Sequence, residues 1–159
     1  MREGIRFSKI GHDEDFIEIE ASVCDGVSFF STSIYIANDA IEILIHVLKK
    51  FKYPEYSGTL PFGFGSFERG MAKGAIKLGL TFDKLGYIFI AAEIQSEHEQ
   101  LCEENVASKA SMHLVADQTM LADFIAELAE LESGARTDAM LRSWKVLGRG
   151  RTSLAGTVR

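Results

Sequence analysis

Histidine, cysteine and glutamate, which can all bind metals, occur together in only one part of this sequence, Glu97-His98-Glu99-Gln100-Leu101-Cys102-Glu103-Glu104. On a helix, His98 and Cys102 would share one face, and a thiolate with an imidazole is a ligand pair that zinc accepts. A structural zinc site needs four ligands, however, and the sequence contains no second pair with suitable spacing. We therefore interpret residues 97–104 as a solvated acidic loop and expect neither a metal nor a cofactor.

Motifs for phosphate binding and for nucleophilic catalysis are incomplete. Gly63-Phe64-Gly65-Ser66 begins like a phosphate-binding loop, but it lacks the further glycine or the Lys-Ser/Thr of a nucleotide fingerprint. No Gly-x-Ser-x-Gly occurs, and neither Cys24 nor Cys102 has a basic activator nearby in the sequence. We expect both thiols to be free in a reducing compartment, and we expect no catalytic residues.

Charge is divided between an acidic body and a basic tail. Residues 1–134 contain 11 Lys or Arg and 22 Asp or Glu, a net charge of −11, whereas residues 135–159 contain 6 and 1, a net charge of +5. An acidic body repels phosphate backbones and attracts cationic surfaces, which argues against nucleic acid and for a basic protein partner. The residues that we expect to contact this partner lie in two acidic groups: Asp13, Glu14, Asp15, Glu97, Glu99, Glu103 and Glu104.

The elements that must position these groups are mostly strands, because apolar and polar residues alternate through much of the body. The predicted strands are residues 5–10, 16–23, 27–36, 59–67, 76–82, 88–94 and 107–116. Two hairpins are indicated, one around Asp25-Gly26 and one around residues 83–86.

One segment, residues 40–51, fits two patterns. Its apolar residues alternate as in a strand, but four of them also have the i, i+3, i+4, i+7 spacing of a helix. These are Ile41, Leu44, Ile45 and Leu48. Asp39 and Glu42 resemble a capping box, and three lysines follow where a helix C-terminus favours positive charge. We predict a helix.

A second helix is predicted between Asp117, a good N-cap residue, and Gly134, a typical C-terminal stop. Its apolar stripe consists of Leu121, Phe124, Ile125 and Leu128, and the opposite side carries Asp123, Glu127 and Glu130. We expect the stripe to be buried and this helix to be a stability element.

Together these elements predict the α+β class, with an antiparallel sheet of about five to six strands and two helices packed on it. We expect one domain over residues 1–134 and a basic tail over residues 135–159. The tail is either flexible or contains one short helix over residues 137–147, and its composition suggests that folding does not require it. Residues 1–6 run into polar sequence without the apolar stretch of a signal peptide, and no apolar run is long enough to span a bilayer, which predicts a cytoplasmic protein.

The order of these elements resembles that of small bacterial immunity proteins of the wall-associated-protein toxin type and of related uncharacterised families. The likeness extends over roughly residues 15–132. The residues that carry it are Gly58, Phe64 to Phe67, Leu78, Leu80, Asp83, Gly86 to Ile90, Asp117, Gln118, Leu121, Phe124 and Leu128. The resemblance implies a protein without catalytic residues that neutralises a toxin by binding it.

The sequence therefore predicts a non-catalytic protein-binding module, and the specific function that we expect is immunity to a bacterial toxin. The alternative is a small-molecule-binding or enzymatic domain whose site lies between the sheet and the helices. A pocket lined with polar groups would favour the alternative, and a shallow acidic surface would favour the binding module.

Overall fold

The computed structural model describes residues 2–69 and 73–144, in which ten strands and two helices follow one another. The elements are β1 Gly4–His12, β2 Phe16–Cys24, β3 Phe29–Ala37, α1 Ala40–Lys50, β4 Thr59–Phe64, β5 Ala75–Phe82, β6 Ile88–Gln95, β7 Glu99–Leu101, β8 Glu104–Val106, β9 Lys109–Ala116, α2 Gln118–Ser133 and β10 Asp138–Arg142. The α+β class with two helices is confirmed.

The long strands form two antiparallel sheets of four strands each. The first sheet has the order β10-β1-β2-β3 and the second has the order β4-β5-β6-β9, while β7 and β8 form a separate two-stranded hairpin. Alternation gives every strand one apolar face, but it does not show whether a helix or another sheet covers that face. Here the inner faces of both sheets and one face of each helix share a single hydrophobic core.

Two backbone hydrogen bonds link the two sheets. On one side Trp144 N donates to Val115 O of β9 over 2.9 Å, and on the other Gly74 N donates to Ser33 O of β3 over 2.9 Å. The first bond joins the chain just after β10 to the edge strand β9, and the second joins the residue before β5 to the edge strand β3.

The predicted hairpin around Asp25-Gly26 is confirmed as β2–β3. Asp25 Oδ1 accepts from the backbone N–H groups of Val27 and Ser28, and Gly26 adopts a φ of 96° that favours glycine. Residues 40–50 are helical as predicted, but the Asp39 side chain makes no capping hydrogen bond, so the capping-box part of that prediction is wrong.

The second predicted hairpin is β5–β6. Asp83 Oδ1 accepts from Leu85 N and Tyr87 N, which closes the turn over residues 83–86. Strand β6 is central in its sheet, between β5 and β9, yet its outer face is open to solvent, where Phe89 is 45% exposed.

Helix α2 begins and ends as its sequence predicts. Asp117 accepts from Met120 N over 2.8 Å, and Gly134 ends the helix with a φ of 85°. Leu121, Phe124 and Leu128 are buried, with Leu131 beside them, and Ile125 is partly buried. Glu127 was predicted on the solvent side but is only 8% exposed, because that side of the helix packs against β10.

Residues 135–144 differ from the sequence prediction. Asp138–Arg142 is a strand that pairs with β1, where the sequence pattern predicted part of a short helix. Ala139, Met140 and Leu141 are all buried, and a run of three apolar residues suits a strand covered on both faces. The body therefore continues past residue 134, and the predicted helix positions after 144 lie outside the described residues.

Cys24 is buried, Cys102 is exposed, and both thiols are free as expected. Across residues 2–69 and 73–144, no helix is long and apolar enough to cross a membrane.

Candidate functional site

The first predicted acidic group forms the tight turn between β1 and β2. Asp13 Oδ1 accepts from Asp15 N over 2.9 Å and from Phe16 N over 2.8 Å, and Asn38 Nδ2 donates to Glu14 O over 2.9 Å. The backbone N–H groups of Phe16 and Asp15 hold the pKa of the Asp13 carboxyl below its usual range. The turn therefore presents three exposed acidic side chains on a backbone fixed by hydrogen bonds.

Two aromatic side chains lie beside this turn, on the outer face of the first sheet. Phe16 is 50% exposed and Tyr35 is 42% exposed, and their ring centroids are 6.4 Å apart. The register of β2 and β3 sets this contact, because Tyr35 is opposite Glu18, two residues after Phe16 on the same face. The two neighbouring rings form a small exposed apolar patch that a partner can cover.

A lysine from a third segment completes the group. Lys73 Nζ is 3.5 Å from Glu18 Oε1 and 5.5 Å from the centroid of the Tyr35 ring. Both charged side chains are about a quarter exposed, so this ion pair is only partly screened by water. The arrangement shows that a cation can be held here between an aromatic face and a carboxylate.

Glycines bring the Lys73 segment close to the first sheet. A Cβ on Gly74 would overlap Thr32 Oγ1 of β3, and one on Gly65 would overlap Gly74 O. Gly65 also has a φ of 77°, which other residues rarely adopt. Side chains at these two positions would separate Lys73 from Tyr35.

These residues line a cavity of about 480 Å³ that is open to solvent, which we call the Phe16–Tyr35 pocket. The described residues that line it are Asp13, Phe16, Tyr35, Gly65, Ser66, Lys73 and Gly74. The pocket thus combines apolar rings, a hydroxyl, an amine and the acidic turn, and can contact a partner that has both apolar and charged groups.

The second predicted acidic group lies on a hairpin where the sequence predicted a loop. Glu99 is in β7, Glu104 is in β8, Glu103 is in the turn between them, and Glu97 precedes β7; all four are exposed. Ser96 N and Ser108 O join the base of the hairpin over 2.9 Å. No hydrogen bond or ion pair within the described ranges joins this hairpin to the Phe16–Tyr35 pocket.

The zinc-like pair is separated by this hairpin geometry. His98 precedes β7 and Cys102 is at the turn with a φ of 55°, so the two do not share a helix face. Among the residues that the structure describes, no three His, Cys, Asp or Glu side chains are grouped so that they could hold a metal ion.

Comparisons of the chain with protein-family models, with curated proteins and with solved structures found no match. The chemistry of the site is therefore the basis for a functional assignment.

Sequence reasoning found Asp13 but missed the aromatic pair and Lys73. One signal was present, because Phe16 stands on the same strand face as Glu18 and Glu20, where an apolar ring is out of place. Tyr35 and Lys73 become part of the site only through strand register and a close backbone approach, which no local pattern encodes.

Proposed function

We propose that this protein is a non-catalytic protein-binding module that acts in the cytoplasm and binds a basic partner. The observation that carries the proposal is the pair of half-exposed rings, Phe16 and Tyr35, beside the acidic turn. Aromatic side chains are enriched at the centres of protein interfaces, where their burial contributes much of the binding free energy. The acidic turn would then lie at the rim of the contact.

The chemistry of the pocket favours an arginine or lysine side chain from the partner. Lys73 already binds the Tyr35 ring and the Glu18 carboxylate, so a cation from the partner would use Phe16 and Asp13 instead. At Asp13, both backbone hydrogen bonds go to Oδ1, which leaves Oδ2 available to an incoming donor. A guanidinium could stack on Phe16 and bind this oxygen at the same time.

Long-range electrostatics point in the same direction. Residues 1–134 carry a net charge of −11, so a basic partner is attracted over distances beyond direct contact. Such attraction raises the association rate and is weakened by salt.

The concrete form that we propose is immunity to a bacterial toxin. It is supported by the resemblance in element order to small bacterial immunity proteins, and such a protein acts by binding alone. The partner would be a basic toxin encoded by the neighbouring reading frame.

The test is to produce that neighbouring product in a bacterial host, with and without this chain, and to measure growth. We expect the neighbouring product to be toxic and this chain to restore growth. With purified proteins, Phe16→Ala and Tyr35→Ala should each raise the Kd about tenfold or more, as truncation of a central aromatic residue does.

Phe29→Ala is the matched control. Phe29 is 54% exposed on the same face of the first sheet, but it does not line the pocket. A neighbouring product without toxicity would reject the immunity proposal. Equal losses of affinity in Tyr35→Ala and Phe29→Ala would remove the pocket from the interface.

A further inference from the structure

A second cleft, of about 310 Å³, lies between the end of α1, the first half of α2 and the end of β5. Phe51 and Phe82 line it, and their rings stack with centroids 4.5 Å apart and an angle of 17° between the planes. Leu121 and Ile125 line it from α2, and Leu48 lines it from α1. Each element that forms the cleft therefore contributes at least one apolar side chain to its walls.

Polar groups are present at the rim of the cleft. Lys49 and Lys52 extend from the end of α1 and the residues after it, and Gln118 begins α2 on the other side. The described lining residues include these two lysines and no carboxylate. Neither lysine forms an ion pair within residues 2–69 and 73–144, so both charges are available to a ligand.

This positive rim contrasts with the charge of the rest of the body. Residues 1–134 contain 11 Lys and Arg residues, and three of these are at positions 49–52. The 22 acidic residues are spread over the whole of residues 1–134. A local cluster of cations in an acidic protein directs anions to one place on the surface.

We infer that this cleft binds a small amphiphilic anion, namely a single acyl chain that ends in a carboxylate. The apolar walls take up the chain, and Lys49, Lys52 and the Gln118 amide bind the carboxylate. The volume of this cleft is near the lower limit of about 300 Å³ for small-molecule sites, so it suits one short acyl chain rather than a larger ligand. This inference does not depend on the proposed protein-binding function, because the two sites share no lining residue.

The test uses three probes with the same tail and different head groups: octanoate, octanol and octyltrimethylammonium. Each is titrated into the full chain, and binding is followed by calorimetry and by amide chemical shifts in ¹⁵N-labelled protein. We expect octanoate to bind most tightly, to shift the amides of Phe51, Lys52 and Gln118, and to bind more weakly as salt is added.

Two variants separate charge from shape. The double change Lys49→Gln and Lys52→Gln should weaken octanoate binding about five- to tenfold, since each exposed charge pair contributes up to about a factor of five. Ala122→Phe, at an exposed lining position of α2, should fill the cleft and abolish binding without a change of charge. The matched control, Lys77→Gln with Lys109→Gln, removes the same charge from the second sheet and should leave octanoate affinity unchanged.

Circular dichroism of each variant confirms that it is folded before binding is measured. Equal affinity for octanoate and octyltrimethylammonium would overturn the assignment of an anion. Amide shifts confined to residues outside the cleft, or an equal loss in the Lys77/Lys109 control, would overturn the assignment of the site.

Discussion

Glu127 of α2 and Arg142 of β10 are joined by a hydrogen bond of 2.7 Å between Oε1 and Nη1. The other carboxylate oxygen of Glu127 accepts from Met140 N over 2.9 Å, so one side chain binds both the edge backbone of β10 and a cation on the same strand. Burial, the largest influence on the Glu127 pKa, acts to raise it. The Arg142 hydrogen bond, the Met140 amide and the charges of Arg142 and Arg136 outweigh burial, so the pKa lies below its usual value.

Glu127→Gln should lower the free energy of unfolding by about 1 to 3 kcal/mol, because it removes the charged partner of Arg142 in a mostly buried position. Urea denaturation measures this change. Glu130→Gln is the control, because Glu130 is exposed and makes only a 3.7 Å contact with Arg136. Equal costs for the two variants would show that the bond to Arg142 contributes little.

The Glu127 carboxylate should make the free energy of unfolding depend on pH in the acidic range. A group whose pKa is lower in the folded protein than in the unfolded chain stabilises the folded protein at any pH above the unfolded-state pKa, here 4.5. This stabilisation is lost as the pH falls through the folded-state pKa. The stability difference between the native protein and Glu127→Gln should therefore be largest near neutral pH and should shrink below about pH 4.5. Asp13 and Asp25 also have lowered pKa values, owing to backbone hydrogen bonds led by those from Phe16 and Ser28, but they are common to both proteins. A constant difference from about pH 7 to about pH 3 would contradict this prediction.

A chain that ends at Gly134 should lose cooperative unfolding. Composition alone suggests that folding does not need the segment after 134, but Ala139, Met140 and Leu141 are buried, and β1 would lose its partner along one edge. Thermal unfolding of this chain, compared with one that ends at Trp144, measures the effect. A similar melting temperature for the two would mean that β10 adds little to the core.

Phe124→Ala should cost about 3 to 5 kcal/mol. The Phe124 side chain is 1% exposed, and its ring centroid is 6.1 Å from that of Phe7 on β1, so truncation leaves a cavity between α2 and the first sheet. Ile125→Ala, at a partly buried position of the same helix, should cost less. Chemical denaturation of both variants gives the comparison, and the opposite ranking would place the core on another face of α2.

Reversing the charges of the hairpin should slow association with the proposed basic partner and flatten its salt dependence. The changes are Glu97→Lys, Glu99→Lys, Glu103→Lys and Glu104→Lys. The control makes the same net change at exposed acidic residues elsewhere: Glu42, Glu55, Asp123 and Glu132. Stopped-flow association rates with the neighbouring-frame product at low salt distinguish the two sets, and equal slowing would show that the hairpin has no special role.

Local chemistry explains which parts of the fold the sequence could predict. The Asp25 and Asp83 turns, the Asp117 cap and the Gly134 stop each depend on residues within a few positions of one another, and all four are present in the structure. Strand β10 differs from the predicted helix because residues 138–142 carry no alternation, and helical spacing is then the stronger pattern.

The candidate site depends on contacts that are distant in the chain. Asp13 could be selected from its charge and its place in a turn. Tyr35 and Lys73 join it through the β2–β3 register and the close approach of Gly74 to β3. Glu127 shows the same limit, because its polar identity indicated solvent while its partners come from a later strand.

The pairing of β1 with β10 sets an order for folding during synthesis. Gly4 is opposite Arg142, so the first sheet cannot be completed until nearly all of the described chain has left the ribosome. Until then the β1 edge and the apolar residues that β10 covers remain exposed, which favours chaperone binding and off-pathway association. The long sequence separation of this strand pair raises the mean separation of contacting residues, which slows folding.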